Sequence, residues 1–206
     1  MSSVRVKICG ITREADLQAA VAAGADALGF VFSPRSARCL DAEAAAGLVA
    51  AVPPFVARVG LFMDQPAADV ARVLSRVPVN VLQFHGSEDA AYCRQFGLPY
   101  IKAVSMSSAA TGARPDRVWP DAAGLLLDSH APGGPGGTGE TFDWSAIPAL
   151  SKPLVLAGGL TPENVAEAVS RVKPWAVDVS SGVEDAPGVK NHEKMRIFLR
   201  EAKREY

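Results

Sequence analysis

Four side chains able to move or hold protons stand at or near the ends of apolar segments in this 206-residue chain: Cys9, His85, Asp128 and Asp178. A carboxyl becomes a useful general acid when partial burial lifts its pKa, and a thiol becomes a useful base once it ionises. A cysteine and an aspartate sharing one cavity could therefore act as an acid–base pair near neutral pH. Each group also has a plainer reading. A free cysteine packs well as a small apolar residue, and an aspartate closing a strand often serves a turn or a helix cap. Their common place, at the end of a run rich in Val, Leu, Ile or Phe, is what favours chemistry.

Two glycine turns add a second kind of site. Ala157-Gly158-Gly159-Leu160-Thr161 and Val179-Ser180-Ser181-Gly182 put small residues, backbone N–H groups and hydroxyls between an apolar segment and a helix start. Such loops suit phosphate, because glycine lets amides approach the oxygens and the helix dipole favours a dianion. Tight connecting turns alone would have the same composition. A third run, Gly133-Gly134-Pro135-Gly136-Gly137-Thr138-Gly139, follows Asp128 and reads either as a mobile lid or as an inert connection. Ser33-Pro34-Arg35-Ser36-Ala37-Arg38-Cys39 carries two guanidinium groups in a loop. Arginine's planar fork suits a carboxylate, although most loop arginines are simply solvated.

The elements that must position these groups follow from the hydrophobic pattern. Eight apolar segments, at 4–9, 27–32, 55–62, 80–84, 100–104, 124–128, 154–157 and 176–179, alternate with Ala-rich amphipathic stretches, the signature of repeated βα units. Eight units in 206 residues, close to the lower size of about 200 for the fold, predict a compact (β/α)8 TIM barrel rather than an open doubly wound sheet. The barrel is expected to form a single domain over residues 1–206. Helix five is expected to be short or absent, since 105–120 is rich in Ser, Ala and Pro. A weak internal echo relates Cys9-Gly10-Ile11-Thr12-Arg13-Glu14 to Gly158-Gly159-Leu160-Thr161-Pro162-Glu163, each reading as turn, Thr N-cap and helix, with Pro162 at the first helical position.

In such a barrel the C-terminal strand ends surround one mouth, and the loops after strands seven and eight are the favoured phosphate positions. Alternation along the first strand predicts Lys7 and Cys9 facing the axis while Val4, Val6 and Ile8 face the helices, and likewise Asp178 facing inward between Val177 and Val179.

Composition excludes several classes. A net charge of −1 with 21% charged residues offers no basic field for nucleic acid or anionic lipid, and 49% hydrophobic residues are too many for a disordered chain. The three cysteines, Cys9, Cys39 and Cys93, show no CxxC spacing, so neither a disulfide framework nor a thiolate zinc site is expected. The N-terminus lacks the unbroken apolar core of an export signal, and the most apolar stretch, 48–63, is broken by Pro53, Pro54 and Arg58. A cytoplasmic protein with a small-molecule partner, and with neither nucleic acid nor membrane as partner, is expected.

The chain resembles the phosphoribosylanthranilate isomerases of tryptophan biosynthesis from its first strand to its last helix. The resemblance rests on Lys7-Ile8-Cys9-Gly10-Ile11-Thr12, Gln83-Phe84-His85-Gly86, Leu126-Leu127-Asp128-Ser129, Gly137-Thr138-Gly139 with Phe142-Asp143-Trp144, Leu156-Ala157-Gly158-Gly159-Leu160 with Asn164-Val165, and Asp178-Val179-Ser180-Ser181-Gly182-Val183-Glu184. It implies an Amadori rearrangement of N-(5-phosphoribosyl)anthranilate to 1-(2-carboxyphenylamino)-1-deoxyribulose 5-phosphate, needing neither metal nor organic cofactor. By that resemblance Asp128 is the general acid and Cys9 the base, Arg38 holds the anthranilate carboxylate, and His85 and Asp178 contact the substrate. Gly137, Thr138, Gly139, Gly158, Gly159, Ser180, Ser181 and Gly182 would hold the phosphate. Lys7 and a nearby helix N-terminus are expected to depress the Cys9 thiol. The sequence departs from the family at Ala37 and Cys39, where proline or another bulkier residue and an aromatic are expected, and at Asn191, which replaces an aspartate at a helix cap.

Two rivals remain on sequence grounds. Lys7 or Lys102, both on strands, could form a Schiff base in a phosphosugar lyase. A phosphosugar-binding protein without turnover would keep the cradle but need neither Cys9 nor Asp128. Oligomeric state stays open between monomer and homodimer.

Overall fold

The computed structural model describes residues 4–105, 114–128, 147 and 149–204. Eight parallel strands close into a barrel in chain order: β1 Arg5–Cys9, β2 Ala27–Val31, β3 Ala57–Phe62, β4 Val81–Phe84, β5 Tyr100–Ser105, β6 Gly124–Asp128, β7 Leu154–Leu156 and β8 Ala176–Val179. The (β/α)8 expectation holds, each strand lying within a residue or two of the apolar segment that predicted it. Closure is made by β1 pairing with β8, in a register that sets Lys7 beside Asp178.

The described helices are α1 Glu14–Ala22, α2 Ala42–Ala50, α3 Ala67–Leu74, α4 Ala90–Arg94, α5 Pro115–Val118, α6 Val165–Val172 and α7 His192–Ala202. Between β5 and β6 the described segment holds only the four-residue α5, where the sequence lacks an apolar stripe. A two-stranded hairpin, β9 Glu184–Ala186 with β10 Val189–Lys190, was not anticipated and sits between β8 and α7. Among the described residues no helix is long and apolar enough to cross a membrane.

Strand alternation sorts the core into two shells. Val6, Ile8, Leu28, Phe30, Leu82, Phe84, Leu125, Leu127, Val177 and Val179 pack outward with the helices, whereas Ala103, Leu126, Val155, Ala157 and Ala176 fill the barrel interior. Burying each large side chain contributes about 1.5–3 kcal/mol, so register is strongly enforced: a one-residue slip would turn every strand inside out. The same parity sends Lys7, Cys9, Asp128 and Asp178 inward.

Two cap expectations are corrected. Thr12 does not cap α1; its hydroxyl donates to the Gly188 carbonyl at the hairpin tip, 2.5 Å away, and Arg13 occupies the N-cap without a side-chain cap. Asn164, not Thr161, precedes α6, so Pro162 lies in a turn before the helix. Asn191 does cap α7, accepting from the Lys194 amide at 2.8 Å.

Candidate active site at the strand ends

Cys9 ends β1 with its side chain over β2, where Gly29 is its register partner. A Cβ on Gly29 would lie 2.7 Å from Cys9 Sγ and 3.1 Å from Lys7 Cε, so the missing side chain is what admits both groups. Lys7 Nζ donates to Asp178 Oδ1 at 2.9 Å, with both side chains under a tenth exposed. Burial works against the Lys7 ammonium, yet Asp178 and Cys9 outweigh it and hold the amine above its usual range.

The thiol departs from expectation. Burial pushes Cys9 up, and the opposing pull of Lys7 and Lys190 does not overcome it. The physical reason is placement: Cys9 is only 5% exposed, so losing water disfavours the thiolate, and the nearby Asp178 carboxylate pushes the same way.

Asp128 ends β6 beside Ser105 of β5, and its Oδ2 lies 3.6 Å from His85 Nε2. The Gln83 side-chain amide lies 3.2 Å from His85 Nδ1, so the ring is held between Gln83 on one nitrogen and Asp128 on the other. His85 thus meets one of the proposed catalytic groups, a contact the sequence did not reveal. Its loop is braced from below: Glu88 accepts from the amides of Gly86 (2.9 Å) and Asp64 (2.8 Å), and Asp64 accepts from the Ser87 amide (2.7 Å).

Lys102 belongs to that brace, not to the mouth. It lies on the helix-facing side of β5 between Ile101 and Ala103 of the inner shell, and Nζ donates to the carbonyls of Gly86 (2.6 Å), Ala103 (2.9 Å) and Phe84 (3.3 Å). With its donors engaged beneath the loop, Lys102 has no route to a sugar carbonyl, and Lys7 is committed to Asp178. The Schiff-base reading loses both its lysines.

Gly158 and Gly159 adopt positive φ values of 80° and 65°, which side-chain-bearing residues rarely take, and turn the chain sharply after β7. Asn164 fastens this turn, accepting from the Thr161 amide (2.8 Å) and donating to the Gly159 carbonyl (2.9 Å). Ser180, Ser181 and Gly182 follow β8, and Gly182 packs so tightly on the Leu160 carbonyl that a Cβ there would overlap it. The two loops are therefore direct neighbours. Gly137, Thr138 and Gly139 lie outside the described residues.

Arg38, from the loop after β2, reaches across the first βα turn. Its Nε and Nη2 donate to Glu184 Oε1 (2.9 Å) and Oε2 (2.6 Å) of the hairpin, and Lys190 Nζ donates to the same Oε1 (2.7 Å). Neither Glu184 nor Lys190 was singled out from sequence. Glu184 stood in the motif that begins at Asp178, but only the hairpin brings Lys190 to it.

A closed barrel gathering ionisable groups and glycine loops at its C-terminal strand ends has the architecture of a (β/α)8-barrel enzyme. A family described as N-(5'phosphoribosyl)anthranilate (PRA) isomerase matches residues 6–201. An N-(5'-phosphoribosyl)anthranilate isomerase of Pseudomonas fluorescens (strain Pf0-1) is 54% identical over 200 residues, covering 97% of this chain and 98% of the relative. The crystal structure of phosphoribosyl anthranilate isomerase from Thermus thermophilus superposes with a TM-score of 0.84 at 42% identity, covering 96% of this chain and 98% of that one. A phosphoribosyl anthranilate isomerase in complex with reduced 1-(o-carboxyphenylamino)-1-deoxyribulose 5-phosphate gives 0.79 at 40% identity, covering 97% and 98%. The chain belongs to the phosphoribosylanthranilate isomerase family, the isomerases of tryptophan biosynthesis.

Proposed function

We propose that this chain converts N-(5-phosphoribosyl)anthranilate to 1-(2-carboxyphenylamino)-1-deoxyribulose 5-phosphate with Asp128 as acid and Cys9 as base. The supporting observation is that both groups end inward-facing strand positions, on β6 and β1, at the same mouth of one barrel. Asp128 gives a proton to the ribose ring oxygen, the C1′–O bond breaks, and the anilino nitrogen lone pair forms the C1′=N iminium. That cation acidifies the C2′–H. Cys9, as thiolate, takes this proton and leaves an enolamine that tautomerises to the amino ketone. Ring opening and enolamine formation each hinge on one proton transfer, and a positioned general acid or base contributes about 10²–10⁴-fold to such a step.

The remaining assignments follow the same geometry. Arg38 presents its remaining N–H edge to the anthranilate carboxylate. His85, facing Asp128, and Asp178, paired with Lys7, contact the sugar and keep the acid and the base oriented. Gly158, Gly159, Ser180, Ser181 and Gly182 receive the phosphate at adjoining loops, together with Gly137, Thr138 and Gly139 after β6. A small anionic sugar is the partner, and the cytoplasm is the compartment. A fluorescence assay following loss of phosphoribosylanthranilate with purified protein tests substrate and reaction together. No turnover by folded protein overturns the reading.

A further inference from the structure

We propose that Glu184 and Lys190 are positioning residues that aim Arg38 over the first βα turn and keep its cluster net cationic, so that the site prefers an aromatic amine bearing a carboxylate. This rests on the reading of Arg38 as the carboxylate holder. The geometry comes first. Glu184 grips Arg38 by a two-point fork through Nε and Nη2, at 2.9 and 2.6 Å, which fixes the guanidinium plane and leaves the Nη1 edge to a ligand. No side chain fits beneath: a Cβ on Gly10 would lie 2.5 Å from Arg38 Cδ and 3.2 Å from Ser180 Oγ.

A two-membered Arg–Glu pair would be neutral and would offer an incoming carboxylate no net attraction. Lys190 changes that. Its side chain is fully buried, and Nζ donates to Glu184 Oε1 (2.7 Å), the Ser180 carbonyl (3.1 Å) and Ser180 Oγ (3.5 Å). Three acceptors match the three N–H donors of an ammonium. Burial pulls the Lys190 ammonium down and the Glu184 carboxylate opposes that pull; with Lys190 protonated, two cations and one anion leave the cluster one net positive charge, held beside Cys9 and behind the Arg38 fork. Lys190 is itself anchored, its backbone amide donating to Asp16 Oδ2 at 3.1 Å. Because it also holds the Ser180 carbonyl, the same lysine joins the carboxylate-facing fork to the loop after β8.

The test is calorimetric binding of two probes: reduced 1-(o-carboxyphenylamino)-1-deoxyribulose 5-phosphate and the same compound with phenyl in place of carboxyphenyl. Lys190→Met removes the net charge and is expected to weaken the carboxylated probe about tenfold or more, and the phenyl probe less than about threefold. Glu184→Gln/Lys190→Met restores one net positive charge but leaves Arg38 one acceptor where the carboxylate gave two, and is expected to bind the carboxylated probe about threefold or more tighter than Lys190→Met while staying weaker than the parent. Glu184→Asp keeps every charge but withdraws the fork, and is expected to lose about fivefold on the carboxylated probe alone. It keeps the test alive if Lys190→Met does not fold. Equal losses on both probes, or a double variant as weak as Lys190→Met, overturn the proposal. Arg38→Met separates the two readings: if it leaves the preference intact, the Arg38 assignment fails; if it abolishes the preference while Lys190→Met and Glu184→Asp do not, only the present proposal fails.

Discussion

Lys7 and Asp178 face each other across the seam where the first strand meets the last, Nζ to Oδ1 at 2.9 Å, buried inside the barrel. The pair closes the sheet and at the same time sets a charge beside the Cys9 thiol. Two strands at opposite ends of the chain are thus tied at the level of the active mouth. An ion pair taken out of water stabilises little in total, but removing one partner leaves the other charged and unpaired. Lys7→Met is therefore expected to cost about 3–5 kcal/mol in urea unfolding, with the slope unchanged. A loss below about 1 kcal/mol would mean that Asp178 finds water or another partner.

Cys9→Ala and Asp128→Asn are each expected to lower turnover by about 10²–10⁴-fold, the usual contribution of one general acid or base. Near-parental thermal midpoints are expected, since Ala replaces a small buried group and Asn is close to isosteric with Asp. Steady-state kinetics beside thermal unfolding reads both. Normal turnover in either variant would remove that residue from the mechanism.

The buried thiol gives a pH signature. Burial holds Cys9 above the ordinary thiol range, so its alkylation by iodoacetamide in ligand-free protein should rise with pH through a midpoint above about 8.5. Lys7→Met, which withdraws an opposing cation, should move that midpoint further up. Mass spectrometry on a Cys39→Ala background isolates the site, since Cys39 is exposed and Cys93 is buried with its thiol pushed up to about 12. A midpoint at or below the ordinary range would contradict the burial argument.

A substrate analogue lacking the 5′-phosphate is expected to bind roughly 10²-fold more weakly or worse, because the glycine turn after β7 and the serine loop after β8 offer amides and hydroxyls that only an anion satisfies well. Equal affinity for the two compounds, by competition in the turnover assay, would move the phosphate elsewhere.

Asp16 predicts behaviour in acid. Burial opposes its ionisation, but Arg13, His192 and the Lys190 amide hold its carboxyl below the usual range. Its stabilisation is then complete above the ordinary carboxylate pKa of about 3.9 and is lost as pH falls through the lower folded value. Asp16→Asn should cost about 3 kcal/mol at neutral pH and flatten the acid limb of the urea-midpoint profile. An unchanged acid limb would show that other carboxylates dominate it.

Much of this site could be read along the chain because a barrel turns linear position into spatial position. Once eight strands are counted, any residue ending one of them is on the mouth, and parity decides whether it faces the axis. Cys9, Asp128 and Asp178 needed no more than that. Lys102 shows the limit: it sits on a strand as Lys7 does, but one step of parity puts it among the helices, clamping three carbonyls.

The order of apolar segments, their alternation and the glycine turns thus determined the fold, the strand ends and the motifs of a phosphoribosylanthranilate isomerase, because each is a local property of backbone and side-chain pattern. Which charges neutralise which was decided only in three dimensions. Arg38 meets Glu184 from 146 positions away, Lys7 meets Asp178 from 171, and Asp16 meets the Lys190 amide from 174. Burial, which overrode the nearby lysines and raised the Cys9 thiol, is likewise a property of the closed barrel, since desolvation depends on everything packed around a group and not on its neighbours in sequence.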